Sequence, residues 1–207
     1  LAAHLDTLDR TADAPVPLNR LYYFAVPSSP YQPIISMLDA AGQIGEHEHD
    51  RGPWRHLLIE KPFAMTVEKG ESVLAASWES GRLAMCAQSL RWDPRMLALK
   101  RMLEAGRIGA PVYARYCSPA SPFWQPEQAE AYAERGADWL LVHNGMHSFD
   151  LLSWLFGSSP VRVHARSHPG QEWLPVHEYV TCTVRFASGA MAQSEENRIM
   201  QPAGYPF

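Results

Sequence analysis

Cysteine is scarce in this sequence. Cys86, Cys117 and Cys182 are odd in number, far apart and free of metal-type spacing. A disulfide framework is therefore not expected, and the three read as buried thiols in a reducing compartment, the cytoplasm by default. Long apolar runs are missing too, and the N-terminus lacks the basic, apolar and small-residue succession of a signal peptide, which leaves no membrane partner. Basic charge is not in excess: 18 Lys and Arg stand against 22 Asp and Glu, for a net charge of -4. A polyanion such as nucleic acid is not an expected partner. There are no internal repeats and no low-complexity tract.

What is present is an ordinary globular balance, 46% hydrophobic and 19% charged over 207 residues, enough for one large domain or two small ones. The chain opens at Leu1 without an initiator methionine. It closes at Tyr205-Pro206-Phe207, just after a strand-like stretch. It is expected to be a piece of a longer natural sequence.

Apolar runs and turn residues alternate along the first half. Leu21 to Val26 is short, apolar and aromatic, a pattern suited to a strand buried on both faces. Ser29 and Pro30 suit a helix start, Ile34, Ile35 and Leu38 supply its stripe, and Gly42 ends it. His56 to Ile59 is a second strand, followed by a helix opened by Thr66, with Val67, Leu74 and Trp78 apolar and Gly81 at its end. Leu83 to Gln88 is a third strand. Asp93 and Pro94 then start a helix with Met96, Leu99, Met102 and Leu103 as its stripe and Gly106 as its stop. Strand and helix in alternation predict the second half of a Rossmann-type, doubly wound parallel sheet. The glycine-rich phosphate loop that should follow the first strand of a complete domain is nowhere in the chain.

The character changes after Gly109. Val112 to Tyr116 is strand-like, 118–137 is rich in Pro, Ala, Gln and Glu, and Ala137 to Phe156 holds a concentrated polar-in-apolar pattern closed by Gly157. Val161 to Arg166, Tyr179 to Phe186 and Ala190 to Glu195 alternate apolar and polar, with Ser188-Gly189 as a hairpin signal. An α/β domain with a mostly antiparallel open sheet is expected over 93–207, after a dinucleotide-binding-type part over 1–92.

Three segments carry residues suited to chemistry. Glu60-Lys61-Pro62 follows a predicted parallel strand, where ligands of open α/β sheets bind. A lysine there can bond a substrate hydroxyl or a ribose, and its cation favours alkoxide character during hydride loss; Pro62 could support a cis bond that aims it. A surface lysine beside a loop proline is the plainer alternative. In Val142 to Asp150, helical spacing puts His143, His147, Asp150, Leu151 and Trp154 on one face, with Asn144 between the histidines. An imidazole there can take a hydroxyl proton. Two histidines four apart can also chelate a metal, and a hydrogen-bonded core histidine is the structural alternative. Gly45 to Asp50 is dense in carboxylate and imidazole but reads as a solvated loop. The tryptophans at 54, 78, 92, 139 and 154 are expected in the core.

These marks together resemble the Gfo/Idh/MocA oxidoreductases, the glucose-fructose oxidoreductase and inositol dehydrogenase family. They are Glu60-Lys61-Pro62-Phe63, Arg91-Trp92-Asp93-Pro94 with Gly106-Arg107-Ile108-Gly109, and Gly145-Met146-His147 leading to Asp150 through Gly157. The resemblance runs from about Leu21 onward. It implies NAD or NADP as cofactor, a sugar, inositol or related polyol as substrate, and an open sheet that often mediates homo-oligomers. Lys61 would match the active-site lysine and His147 the catalytic histidine, with His143 and Asn144 beside the substrate. Pro27 and Ser28 would lie beside the cofactor, with Glu60 and Lys61, and Gln88 and Arg91 near the nicotinamide. Two positions depart from the family's habit: His143 stands where an aspartate is common, and Tyr31 where many have a histidine.

Asn19 to Pro27 and Ile59 to Phe63 are also similar to glucose-6-phosphate dehydrogenase, although that family's Arg-Ile-Asp-His-Tyr segment is missing and the region after Lys69 follows the first family. The leading expectation is a dehydrogenase in which Lys61 and His147 converge on one cleft. The rivals are a non-catalytic dinucleotide-binding module and a metal enzyme using His143 and His147. By itself, the chain is expected to be inactive and to bind dinucleotide weakly or not at all.

Overall fold

The computed structural model describes Thr7 and residues 19–25, 31–41, 55–119, 139–169 and 176–199, with the side chain of Gln32 excepted. The chain divides into two units, Leu1–Ala87 and Gln88–Phe207. The division places the short 3-10 turn Ser89–Trp92 with the second unit. Among the described residues no helix is long and apolar enough to cross a membrane.

The first unit is a parallel sheet with helices between its strands. Strands β1 (Arg20–Phe24), β2 (Arg55–Ile59) and β3 (Ala84–Cys86) lie in the order β1-β2-β3. Phe24 is opposite Ile59, and Ile59 is opposite Cys86. Helix α1 (Tyr31–Ala40) follows β1, and α2 (Val67–Glu79) follows β2. Phe24, Leu38 and Ile59 are buried.

Two expectations need correction here. Leu21 and Tyr23 are 56% and 53% exposed, so β1 is not buried on both faces. Strand side chains alternate in direction, and only the face carrying Phe24 is well covered by described residues. In α2, Val67, Leu74 and Trp78 point outward, Trp78 at 89% exposure. The residues of this helix that are part-covered are Gly70, Val73 and Ser77. Gly70 packs over Ala64, where an added Cβ would make an ordinary contact at 3.7 Å. Ser77 Oγ accepts from Ala84 N at 3.2 Å and donates to the Arg82 carbonyl at 2.5 Å. The helix thus docks through hydrogen bonds and small side chains, not through its largest apolar ones. Thr66 caps it, accepting from Lys69 N.

In the second unit, α3 (Pro94–Glu104) begins as expected, with Asp93 at its N-cap accepting from Arg95 N at 2.8 Å and Pro94 in the first turn. It stops at Gly106, whose φ of 66° lies in the left-handed region. Trp92 is 61% exposed, a further exception to the expected burial of tryptophan. Strand β4 (Tyr113–Pro119) follows, then a π-helical turn, Leu141–Gly145, that runs into α4 (Met146–Phe156). Strands β5 (Pro160–His168), β6 (Tyr179–Phe186) and β7 (Met191–Asn197) complete a four-stranded sheet in the order β4-β7-β6-β5. β6 is antiparallel to both neighbours, and β4 pairs parallel with β7. Period-two alternation sends Val180, Cys182, Val184 and Phe186 inward, where they pack with Trp139, Leu140, Leu152, Val176 and Ala192. Only Cys182 is a buried thiol, whereas Cys117 is exposed and Cys86 is intermediate. All three are free.

The cap of α3 makes a pH prediction. Hydrogen bonds from Arg95 side chain and backbone hold the Asp93 carboxyl down to about 2 from its ordinary 3.8. A depressed carboxyl stabilises the fold above its unfolded pKa and loses that contribution as pH falls through the folded one. Amide exchange in the first turn of α3 is therefore expected to stay slow down to pH 3.8 and accelerate toward about pH 2. In Asp93→Ala the same amides should exchange fast already at neutral pH; equal rates in both proteins would refute the cap's role.

Candidate active site

Glu60 and Lys61 lie immediately past the carboxyl end of β2, the middle strand of its sheet. The ladder is closed just there. Glu60 N donates to the Phe24 carbonyl at 3.1 Å, and Ala87 N donates to the Ile59 carbonyl at 2.8 Å. The Lys61-Pro62 peptide is cis. Tyr23 Oη donates to the Glu60 carboxylate, whose other oxygen accepts from the Lys61 backbone N–H at 3.4 Å. Tyr31 packs its ring 5.3 Å from that of Phe24 and turns its hydroxyl toward the Glu60 carbonyl at 3.5 Å. Tyr31 thus stands against the Glu60-Lys61 backbone, at the position where the resemblance leads one to expect a histidine.

Burial lowers the Lys61 ammonium pKa, with the Glu60 carboxylate pulling in the opposite direction. A lysine so placed gives up its proton more readily than a surface lysine, yet still carries a cation that can stabilise an alkoxide. Tyr23 is raised, first by its bond to Glu60 and then by burial and charge, and Tyr31 is raised by burial first. Both phenols stay neutral donors. Sequence reasoning did not single out Tyr23; its place one residue before the end of β1 was the available signal.

In the second unit the histidines sit where a π turn hands over to an α-helix. His143 and Asn144 belong to the turn, and His147 is the second residue of α4. All three are half-buried. His143 packs against Trp139, ring centroids 5.5 Å apart. The wider turn replaces α-helical spacing over 141–145. The four-residue argument for a shared histidine face, and for a chelating pair, therefore does not carry over unchanged. Among the described residues no group of three or more His, Cys, Asp or Glu side chains could hold a metal ion.

Arg91, expected near the nicotinamide, is paired with Asp150. Its Nε and Nη2 donate to the two carboxylate oxygens of Asp150 at 2.7 and 2.5 Å. Its guanidinium also lies 6.0 Å from the Trp154 ring centroid. This bidentate pair fastens the turn Ser89–Trp92 to α4, three residues after His147. Gln88, just before that turn, has a buried Oε1 that accepts no hydrogen bond from any described residue. Pro27, Ser28, Trp54, Asp138 and the 45–50 cluster lie outside the described residues.

A parallel sheet with a lysine at a strand's carboxyl end, and a second unit with histidines at a helix start over an open mixed sheet, define a Rossmann-type oxidoreductase architecture. Residues 96–205, over half of the chain, match the GFO/IDH/MocA C-terminal domain, and the chain belongs to that family. Residues 1–77 match the NAD binding domain of glucose-6-phosphate dehydrogenase, the second likeness noted for its first strands. The chain is 31% identical to 1,5-anhydro-D-fructose reductase of Ensifer adhaerens over 145 residues, 67% of this chain and 42% of that protein. It is 23% identical to scyllo-inositol 2-dehydrogenase (NAD(+)) of Bacillus subtilis over 150 residues, 70% of this chain and 42% of that one. The chain thus spans well under half the length of these curated relatives. Among solved structures, an aldose-aldose oxidoreductase from Caulobacter crescentus superposes with a TM-score of 0.69 at 22% identity, covering 95% of this chain and 55% of that one. The WlbA dehydrogenase from Bordetella pertussis, in complex with NADH and UDP-GlcNAcA, gives 0.67 at 19% identity, covering 98% and 58%. These likenesses show the fold.

Proposed function

We propose that the full-length protein is a cytoplasmic, homo-oligomeric dehydrogenase that moves a hydride between NAD or NADP and a hydroxyl-bearing carbon of a sugar, inositol or related polyol. The observation that carries this reading is Lys61: half-buried at the carboxyl end of a central parallel strand, braced through Glu60 by Tyr23, with its proton loosened by burial. The nicotinamide, when bound, supplies the hydride acceptor. Lys61 donates a hydrogen bond to the reacting oxygen and stabilises its developing negative charge. His147 accepts the hydroxyl proton, and His143 and Asn144 orient neighbouring hydroxyls. Gln88 fits a carboxamide partner, since its buried Oε1 accepts from no described residue and a carboxamide N–H would satisfy it. The names of the relatives, an anhydrofructose reductase and an inositol dehydrogenase, support the substrate class.

The test is a survey of the full-length protein with NAD or NADP against inositols, aldoses and 1,5-anhydro-D-fructose or its reduced form, following nicotinamide absorbance. Turnover with at least one polyol or sugar is the expected result. Tight dinucleotide binding with no turnover across the panel would instead mark a non-catalytic module.

A further inference from the structure

Behind the histidine turn lies a buried polar chain with too few hydroxyl protons. Ser148, Ser194 and Glu196 are each no more than 1% exposed. Ser194 and Glu196 share one face of β7, two residues apart, and Ser148 lies in the first turn of α4. Three oxygen-to-oxygen contacts join them: Gly145 carbonyl to Ser148 Oγ at 2.8 Å, Ser148 Oγ to Ser194 Oγ at 2.8 Å, and Ser194 Oγ to Glu196 Oε1 at 3.3 Å. Each contact needs a proton between its oxygens. The two serine hydroxyls supply one each. Ser148 donates to the Gly145 carbonyl, and Ser194 donates to Ser148. If Glu196 were a carboxylate, its Oε1 would face the Ser194 oxygen at 3.3 Å inside the protein with no proton between them.

We propose that Glu196 is held as a neutral carboxylic acid that donates to Ser194, and that it acts as a positioning residue for the turn carrying His147. The chain then runs in one direction, from Glu196 to Ser194 to Ser148 to the Gly145 carbonyl, two residues before His147. Its surroundings agree. Glu196 Oε2 has no hydrogen-bond partner among the described residues, which a carboxylate tolerates poorly. The groups facing it are Ser118 and Tyr116 on β4, Cys182 on β6, and the serines of α4 and β7, while Cys117 of β4 lies on the other face of the sheet opposite Glu195. Its titratable neighbours are thus a phenol and thiols, each of which burial raises first. Burial pushes the Glu196 carboxyl up, against the lowering effect of the three serines. A raised carboxyl keeps its contribution below its unfolded pKa and loses it as pH rises through the folded one. The alkaline side is therefore where the turn loosens.

The inference deepens the assignment of His147 but can be read without turnover, so a failed dehydrogenase assay would leave it standing. Infrared difference spectra of the purified chain at neutral pH, wild type minus Glu196→Gln, are expected to show one carboxylic-acid carbonyl band that shifts in heavy water. Imidazole NMR of His147, assigned with His147→Gln, is expected to show a second inflection on the alkaline side as that band disappears. The inflection should be missing in Glu196→Gln, whose carboxamide still donates to Ser194. Should that variant not fold, the wild-type titration decides alone: the acid band and the second inflection must vanish at one pH. A carboxylate signature at neutral pH, or a His147 titration that ignores Glu196, would overturn the proposal.

Discussion

On the proposed reading, His147→Ala is expected to lower kcat of the full-length protein by about 10²- to 10⁴-fold, the usual worth of a positioned general base. KM for the polyol should change far less, because the proton moves in the transition state and not on binding. Lys61→Met should lower kcat by about 10²- to 10³-fold, the usual cost of removing one donor from a developing oxyanion. The double variant should fall little below the worse single one, since groups acting in one step are not additive. The pH profile gives a further sign. Burial lowers the Lys61 pKa while Glu60 raises it, so the alkaline limb of kcat should lie below that of an ordinary lysine. Glu60→Gln should move it lower still. Steady-state kinetics on the substrate found in the survey decides the matter: unchanged kcat in both single variants would end this mechanism.

Phe186→Ala should destabilise the second unit by about 3–5 kcal/mol, the range for large aromatic truncations in a packed core. Phe186 is 2% exposed and meets Phe156 edge to face, centroids 4.9 Å apart. The benzyl group is therefore wedged between the last turn of α4 and the end of β6, and removing it leaves a cavity that two regular elements cannot easily collapse into. Trp78→Ala removes a larger aromatic but one that is 89% exposed. Its effect should stay within about 0.5 kcal/mol. Urea unfolding of the 207-residue chain, followed by amide exchange in β6, compares the two. Similar losses for both substitutions would mean that the assigned core is not the one that holds the unit together.

The contrast between those two aromatics marks what the amino-acid order could say. Strands and helices were legible because their signals are local: Asp93-Pro94 starts α3, Gly106 and Gly157 end helices in left-handed geometry, and Ser188-Gly189 turns β6 into β7. Facing was less legible. The apolar side chains of α2 suggested one inward line, yet Gly70, Val73 and Ser77 are the part-covered ones, and Ser77 is tied to β3 by a hydrogen bond that periodicity cannot read. In the candidate site, Lys61 and His147 stood out through their neighbours in sequence. Arg91–Asp150 and Tyr23–Glu60 did not, being 59 and 37 residues apart, and only pairing across elements could reveal them. The π turn at 141–145 has no sequence signature that periodicity can read.

The order of the second sheet sets a timetable for its assembly. β7 lies between β4 and β6, so among the four described strands of this sheet the one synthesised last is the one that joins the earliest to the rest. Until Met191–Asn197 has been synthesised, β4 and β6 each present a bare row of backbone donors and acceptors to whatever is nearby. A ribosome stalled shortly before Met191 would therefore release a chain with two sticky borders and no means of joining them, the kind of species that chaperones are built to hold.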